Sequence, residues 1–163
     1  MAAEPFLDLA KLDLTSEVLD TERLGQLLPQ RGELMMVDGI CHLESDHEHH
    51  EKRCIVGYKD LGGDDWWAAG HFPGNPIVPG ILMIEGAAQV GTVLWRSIMN
   101  LSDALVGFGG LEKVRFRKRV RPPARLYFLV RAGNMRRRVA RMPAQVIVDG
   151  ALVLEATIIG VAL

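Results

Sequence analysis

Between Ile81 and Trp95 every side chain is aliphatic or small except Glu85, Gln89 and Thr92. Nothing interrupts this stretch from Gly80 to about Asn100, so it predicts one helix of about five or six turns. Pro79 suits its first turn, where a missing N–H is harmless. A helix apolar around nearly all of its circumference is a buried one. The three polar residues stand at i, i+4 and i+7, which places them on one face, and Arg96 extends the row. A polar seam along a dry helix is therefore the first feature to explain.

Downstream the pattern becomes strand-like. "KVRFRKRV" (113–120) alternates, "ARLYFLVRA" (124–132) follows, Gly133-Asn134 is expected to turn, and "RRVARMPAQVIV" (137–148) comes next. Asp149-Gly150 is a two-residue hairpin turn leading into "ALVLEATIIGVAL". Upstream, "ELMMVDGICHLE" (33–44) and "EKRCIVGY" (51–58) read as two strands joined by the polar turn "SDHEHH". "KDLGGDDWWAAG" (59–70) reads as loop. A short helix is expected around "DTERLGQLLPQ", capped by Asp20 or Thr21 and stopped by Pro29. One buried helix with several long antiparallel strands predicts an α+β layer, a sheet wrapped around a helix. Without repeats or linkers, residues 21–163 form one domain, preceded by an extension over residues 1–20.

Composition narrows the options. The 163 residues are 48% hydrophobic with a net charge of −1, a globular balance that argues against a general polyanion binder. No apolar run reaches the ~18 residues of a membrane span. The acidic start "MAAEPFLDLAKLDL" is not a secretory signal. Two cysteines, Cys41 and Cys54, make no disulfide framework. A reduced, cytoplasmic protein is the expectation.

The chemistry concentrates in "GHFPGNPIVPGILMIEGAAQVG", residues 70–91. Pro73, Pro76 and Pro79 keep the segment before the helix rigid and non-helical. His71 opens it and is the only histidine outside the 42–50 cluster. An uncompensated carboxylate in a dry helix costs several kcal/mol. Glu85 therefore either pairs with a buried cation or serves chemistry. The first helical N–H groups suit a developing oxyanion, and Gly80 has no side chain to block that approach. A near-neutral base, a carboxylic acid and backbone donors are the parts needed to take a proton next to a carbonyl and expel hydroxide.

The segment resembles the active-site motif of the β-hydroxyacyl-acyl-carrier-protein dehydratases. "LLPQRGELMMVDGI", "KVRFRKRVRPPARL" and "VDGALVLEA" follow the same order, so the resemblance covers roughly residues 22–163. It implies a hot-dog fold, a curved antiparallel sheet around one long central helix. It also implies a homodimer with two shared sites, each using His71 of one subunit and Glu85 of the other. By the same resemblance the Gly80 N–H holds the thioester carbonyl, Gln89 positions Glu85 or water, and Phe72 joins them in binding substrate. The implied reaction removes water from a 3-hydroxyacyl thioester on acyl carrier protein. It needs no metal or cofactor, because the thioester and oxyanion site supply the acidity. "QRGEL" (30–34) stands where the family usually has His-Arg-Tyr-Pro-Phe. "LMMVD" is closer to the dehydratase/isomerase branch, which however has aspartate at the position of Glu85. "RPPARL" also departs from the usual Pro-Gly-Asp. Chain length, isomerase activity, a non-catalytic acyl-binding role and higher oligomers remain open at this level.

"CHLESDHEHHEKRC" holds two cysteines and four histidines without a standard zinc spacing, so a solvated polar turn is expected and no metal. Arg115, Arg117, Arg119 and Arg121 alternate, which on a strand gives one basic face. That face is either simply solvated or docks an acidic partner such as the carrier protein. Arg136, Arg137 and Arg138 form a second basic cluster. No nucleic-acid-binding motif is present. Trp66 and Trp67 are expected to pack at the mouth of an acyl channel.

Overall fold

The fold was obtained as a computed structural model that describes residues 4–44, 52–101 and 104–163. Helix α1 spans Thr21–Leu27, and of the two candidate caps it is the Asp20 carboxylate that accepts from the Arg23 N–H at 2.8 Å. Arg31 closes the other end, its guanidinium donating to the carbonyls of Gly25 and Leu28 at 2.6 Å. Those carbonyls have no intrahelical partner, so a cation there is doubly favourable. Helix α2 spans Gly80–Met99 and stops at Asn100, which is left-handed with φ 49°.

The strands are β1 (Gly39–Leu43), β2 (Cys54–Leu61), β3 (Val106–Phe116), β4 (Ala124–Arg131), β5 (Asn134–Met135), β6 (Val139–Val148) and β7 (Ala151–Ala162). Among the described residues they form one antiparallel sheet in the order β1-β2-β4-β6-β7-β3, with β5 pairing onto β6. The sheet wraps α2, whose inward side chains Leu82, Met83, Ala87, Val90, Leu94 and Trp95 join the main core. Contact is close because Gly86 lies under Phe128: a Cβ there would be 2.3 Å from the ring. Leu or even Ala at 86 would push the helix off the sheet.

The opposite face of the sheet carries its own apolar cluster. Cys41, Val56, Leu129 and Ile147 are covered by Phe6, Leu7, Leu9, Leu12 and Leu14. Buried Gln145 pins this N-terminal segment, accepting from the Phe6 N–H at 2.7 Å and donating to the Glu4 carbonyl at 2.9 Å. One more bond pair, between Leu19 and Ile40, ties the segment to β1.

The structure moves four expected boundaries. Residues 33–38 are not strand: Gly32–Leu34 is a 3₁₀ turn, and Met36 and Val37 are both buried although adjacent, which an alternating strand does not allow. Conversely, Lys59, Asp60 and Leu61 continue β2, with Asp60 and Arg125 bonded across the pair at 2.6 Å. The strand expected at 113–120 starts earlier and ends at Phe116, and its register shifts between Glu112 and Arg115, where Lys113 has φ 54°. The four arginines therefore do not share a strand face. Finally, Asn134 pairs with β6, and the reversal falls later, where the Arg136 N–H donates to Val139. Asp149 and Gly150 do form the expected hairpin, both with positive φ.

Candidate active site

Two groups of residues frame the site, one from the loop before α2 and one from inside it. The loop is anchored by Trp67, which is buried in the core and whose carbonyl accepts the N–H groups of Gly70 and His71. Phe72 follows with φ 60°, a conformation that bulky residues rarely adopt and that tends to mark functional segments. The turn closes through the Asn75 N–H to the Phe72 carbonyl at 2.9 Å. This geometry folds the His71 ring back so that Nδ1 lies 2.7 Å from the Ile77 carbonyl oxygen, with Phe72 packed edge-on at 4.6 Å between centroids. A carbonyl oxygen only accepts, so Nδ1 carries the hydrogen. That leaves Nε2 as the ring nitrogen without a bond among the described residues.

Pro79 leads directly into α2, and Leu82 and Met83 both donate to its carbonyl. The Gly80 N–H meets no acceptor among the described residues. The Phe116 ring covers Gly80 so closely that a Cβ would lie 2.3 Å from it. Glycine is thus required here by packing as well as by access.

The seam predicted along α2 is a hydrogen-bonded unit rather than a solvated face. Gln89 is buried; its amide nitrogen donates to Glu85 Oε1 at 2.8 Å and to the Leu34 carbonyl at 2.7 Å. Its oxygen accepts from the Met36 N–H at 3.0 Å. Gln30 reaches the same carboxylate oxygen, donating from Nε2 at 3.1 Å. Both neutral donors bond Oε1, so no cation is needed to hold Glu85, and Oε2 has no hydrogen bond among the described residues. Thr92 instead satisfies itself on the Ala88 carbonyl at 3.0 Å. Glu85 and Gln30 open onto a small cleft of about 60 Å³ floored by Phe108, Met142, Ile158 and Gly160. His71 does not line that cleft.

Beside the His71 loop, Phe116, Arg117, Lys118, Arg119 and Arg121 line an open basin of about 590 Å³. Arg121 bonds the Asn75 side chain, and the Val78 N–H donates to Val120, so basin and loop are one unit. Arg117 is paired with Glu155 at 2.5 Å, and Arg115 lies outside the basin. Trp66 is exposed and Trp67 buried, so they do not act as a pair. His47, His49 and His50 of the histidine-rich stretch lie outside the described residues. Its two cysteines are buried, which pushes their thiols up to about 11 for Cys41 and about 12 for Cys54. They are protonated at neutral pH and are poor nucleophiles or ligands in that state. Gln30, Phe116 and Lys118 are the contributors that the sequence did not mark out. Only Gln30 had a pointer, its place in "QRGEL".

A curved antiparallel sheet around one helix, with a histidine at the helix mouth and a carboxyl group one turn further in, defines a hot-dog protein. The sequence matches the FabA-like domain family over residues 28–157. It is 36% identical to 3-hydroxyacyl-acyl-carrier-protein dehydratase FabZ of Desulfotalea psychrophila over 88% of this chain and 93% of that one. With the FabZ of Thermomicrobium roseum it shares 33% over 87% and 91%. The solved dehydratase heterocomplex ApeI:P from Xenorhabdus doucetiae superposes with a TM-score of 0.69 at 13% identity, covering 86% of this chain and 90% of that one. A mutant thioesterase PA1618 from Pseudomonas aeruginosa gives 0.62 at 14%, covering 90% and 97%. The chain belongs to the FabA-like family of β-hydroxyacyl-acyl-carrier-protein dehydratases.

Proposed function

We propose that this chain dehydrates a 3-hydroxyacyl thioester carried on acyl carrier protein, giving the trans-2-enoyl thioester, in a homodimer with two shared sites. The observation that carries the reading is a His71 whose Nδ1–H is bound to the Ile77 carbonyl, leaving Nε2 free, together with a Glu85 held by amides alone. Nε2 takes the C2 proton, and the Gly80 N–H steadies the negative charge that builds on the thioester oxygen. The electron pair then forms the C2–C3 double bond as the C3–O bond breaks. Glu85 Oε2 gives its proton to that oxygen, and water leaves. The proton gained by His71 and the one lost from Glu85 re-equilibrate through solvent before the next turnover.

The dimer is supported by what one chain leaves open. His71 and Glu85 do not line a common cleft within a subunit. β3 is a free edge of eleven residues, with Phe108, Leu111 and Phe116 exposed on it and Phe72 and Ile81 exposed nearby. A long apolar edge is unstable toward pairing with another strand, and a second β3 would cover it and bring two sites together. The basin of Lys118, Arg119 and Arg121 is the dock for the acidic carrier. No helix of the described residues is long and apolar enough to cross a membrane.

The direct test is turnover of 3-hydroxyacyl thioesters of several chain lengths, on carrier protein and on coenzyme A, followed by product analysis. Water loss giving the trans-2-enoyl product is expected. Binding without turnover would replace the enzyme with an acyl-binding protein, release of free thiol would make it a thioesterase, and a cis-3-enoyl product would add isomerisation.

A further inference from the structure

Gln30 has one satisfied end and one unsatisfied end. Its Nε2 donates to Glu85 Oε1, whereas its Oε1 is buried and no donor among the described residues reaches it. The orientation is fixed by chemistry: turned over, the amide oxygen would face a carboxylate oxygen. A buried acceptor left without a donor costs about 1–3 kcal/mol, and Gln30 is not held there by chance. Arg31 donates to the Gln30 carbonyl and to the two carbonyls at the end of α1, which locks the backbone beside it. Gln30 lines the same cleft as Glu85.

We infer that Gln30 Oε1 receives the hydrogen of the substrate's 3-hydroxyl group. This rests on the dehydratase reading above. A leaving hydroxyl has one hydrogen and needs two partners, a donor to its oxygen and an acceptor for its hydrogen. Glu85 Oε2 supplies the first as it transfers its proton. Gln30 Oε1 supplies the second and makes no bond of its own. The departing water then carries one hydrogen from Glu85 and its original one, still directed at Gln30. In the reverse reaction the same pair aims an attacking water at C3. Gln30 thereby adds to the preference, begun by Glu85, for a 3-hydroxyacyl chain over a saturated one of equal length.

The test compares Gln30→Met, similar in length but without the amide, with the unchanged residue, both in a His71→Ala background that prevents conversion. Calorimetry gives dissociation constants for a 3-hydroxyacyl thioester and for the saturated acyl thioester of the same length. The expected result is a loss of about tenfold for the hydroxylated ligand, the worth of one hydrogen bond, and little change for the saturated one. Equal weakening of both ligands would assign Gln30 a structural role and overturn the inference, as would no weakening of either. If neither thioester binds to the protein with Gln30 intact, the dehydratase reading itself fails and takes this inference with it.

Discussion

The Gln89 amide lies 2.8 Å from the Glu85 carboxylate, and the same amide holds the backbone at Leu34 and Met36. One buried side chain thus couples the acid to the segment that carries Gln30. Gln89→Leu keeps approximate volume but strands the Leu34 carbonyl and the Met36 N–H, at about 1–3 kcal/mol each. For a chain of this size that lowers the melting temperature by several degrees, at ~2–4 °C per kcal/mol. The turnover number should fall further than the Michaelis constant rises, because the loss is in the aim of Glu85. Thermal melts and steady-state kinetics check both, and a variant with unchanged stability would show that the clamp is not formed.

The basic basin predicts selectivity for the carrier. Lys118 and Arg119 line it without an ion pair among the described residues, whereas Arg117 is engaged with Glu155. Reversing Lys118 and Arg119 to glutamate should raise the Michaelis constant for carrier-bound substrate and leave a small thioester analogue nearly unaffected. Added salt should weaken the wild-type carrier reaction, since exposed charges are screened over ~8–10 Å. Equal losses on both substrates would mean that the loop, not its charge, was damaged.

Burial of the two thiols makes a prediction at high pH. Cys41 is raised by desolvation, and Cys54 by desolvation and then by the Glu44 charge. Folding therefore favours the neutral thiol. This contribution is complete below the ordinary thiol value of ~8.5 and is lost as pH rises through about 11 and about 12. Replacing both cysteines with alanine should flatten the fall in stability between pH 9 and 11 relative to wild type. At pH 8 the native thiols should react slowly with a disulfide reagent and rapidly once denaturant is added. Fast reaction of the native protein would contradict the burial.

Much of this site could be read along the chain because its parts recur with a helical period. Glu85 and Gln89 are one turn apart, and local spacing alone predicted that they would meet. His71, Pro79 and Gly80 were equally local. Asp149-Gly150 specified its own turn. The misplacement of β3 has a physical source: the arginines between 115 and 121 imitate strand alternation, but the apolar and glycine-rich run from Val106 is what pairs with β7. Met36 and Val37 misled for the opposite reason, since a buried loop can hide neighbouring side chains when a side chain such as Gln89 satisfies its backbone. Gln30 could not be found by periodicity at all. It reaches Glu85 across 55 positions, and that meeting is produced by the path of the loop after α1.

The shared-site arrangement and the chemistry can be tested in one experiment. Alone, His71→Ala and Glu85→Gln should each lower turnover by about a hundredfold or more, the usual worth of a general acid or base, while melting like wild type. The two inactive proteins are then mixed under conditions that exchange subunits. If each site takes His71 from one subunit and Glu85 from the other, a mixed dimer has one site with both lesions and one with neither. Random pairing makes half the dimers mixed, each with one intact site of two, so roughly a quarter of wild-type activity returns if the sites act independently. Sites built within single subunits would regain nothing, because every subunit lacks one partner. Exchange demonstrated by mass labelling with no recovery of activity would therefore exclude the shared site, even with both residues proven catalytic.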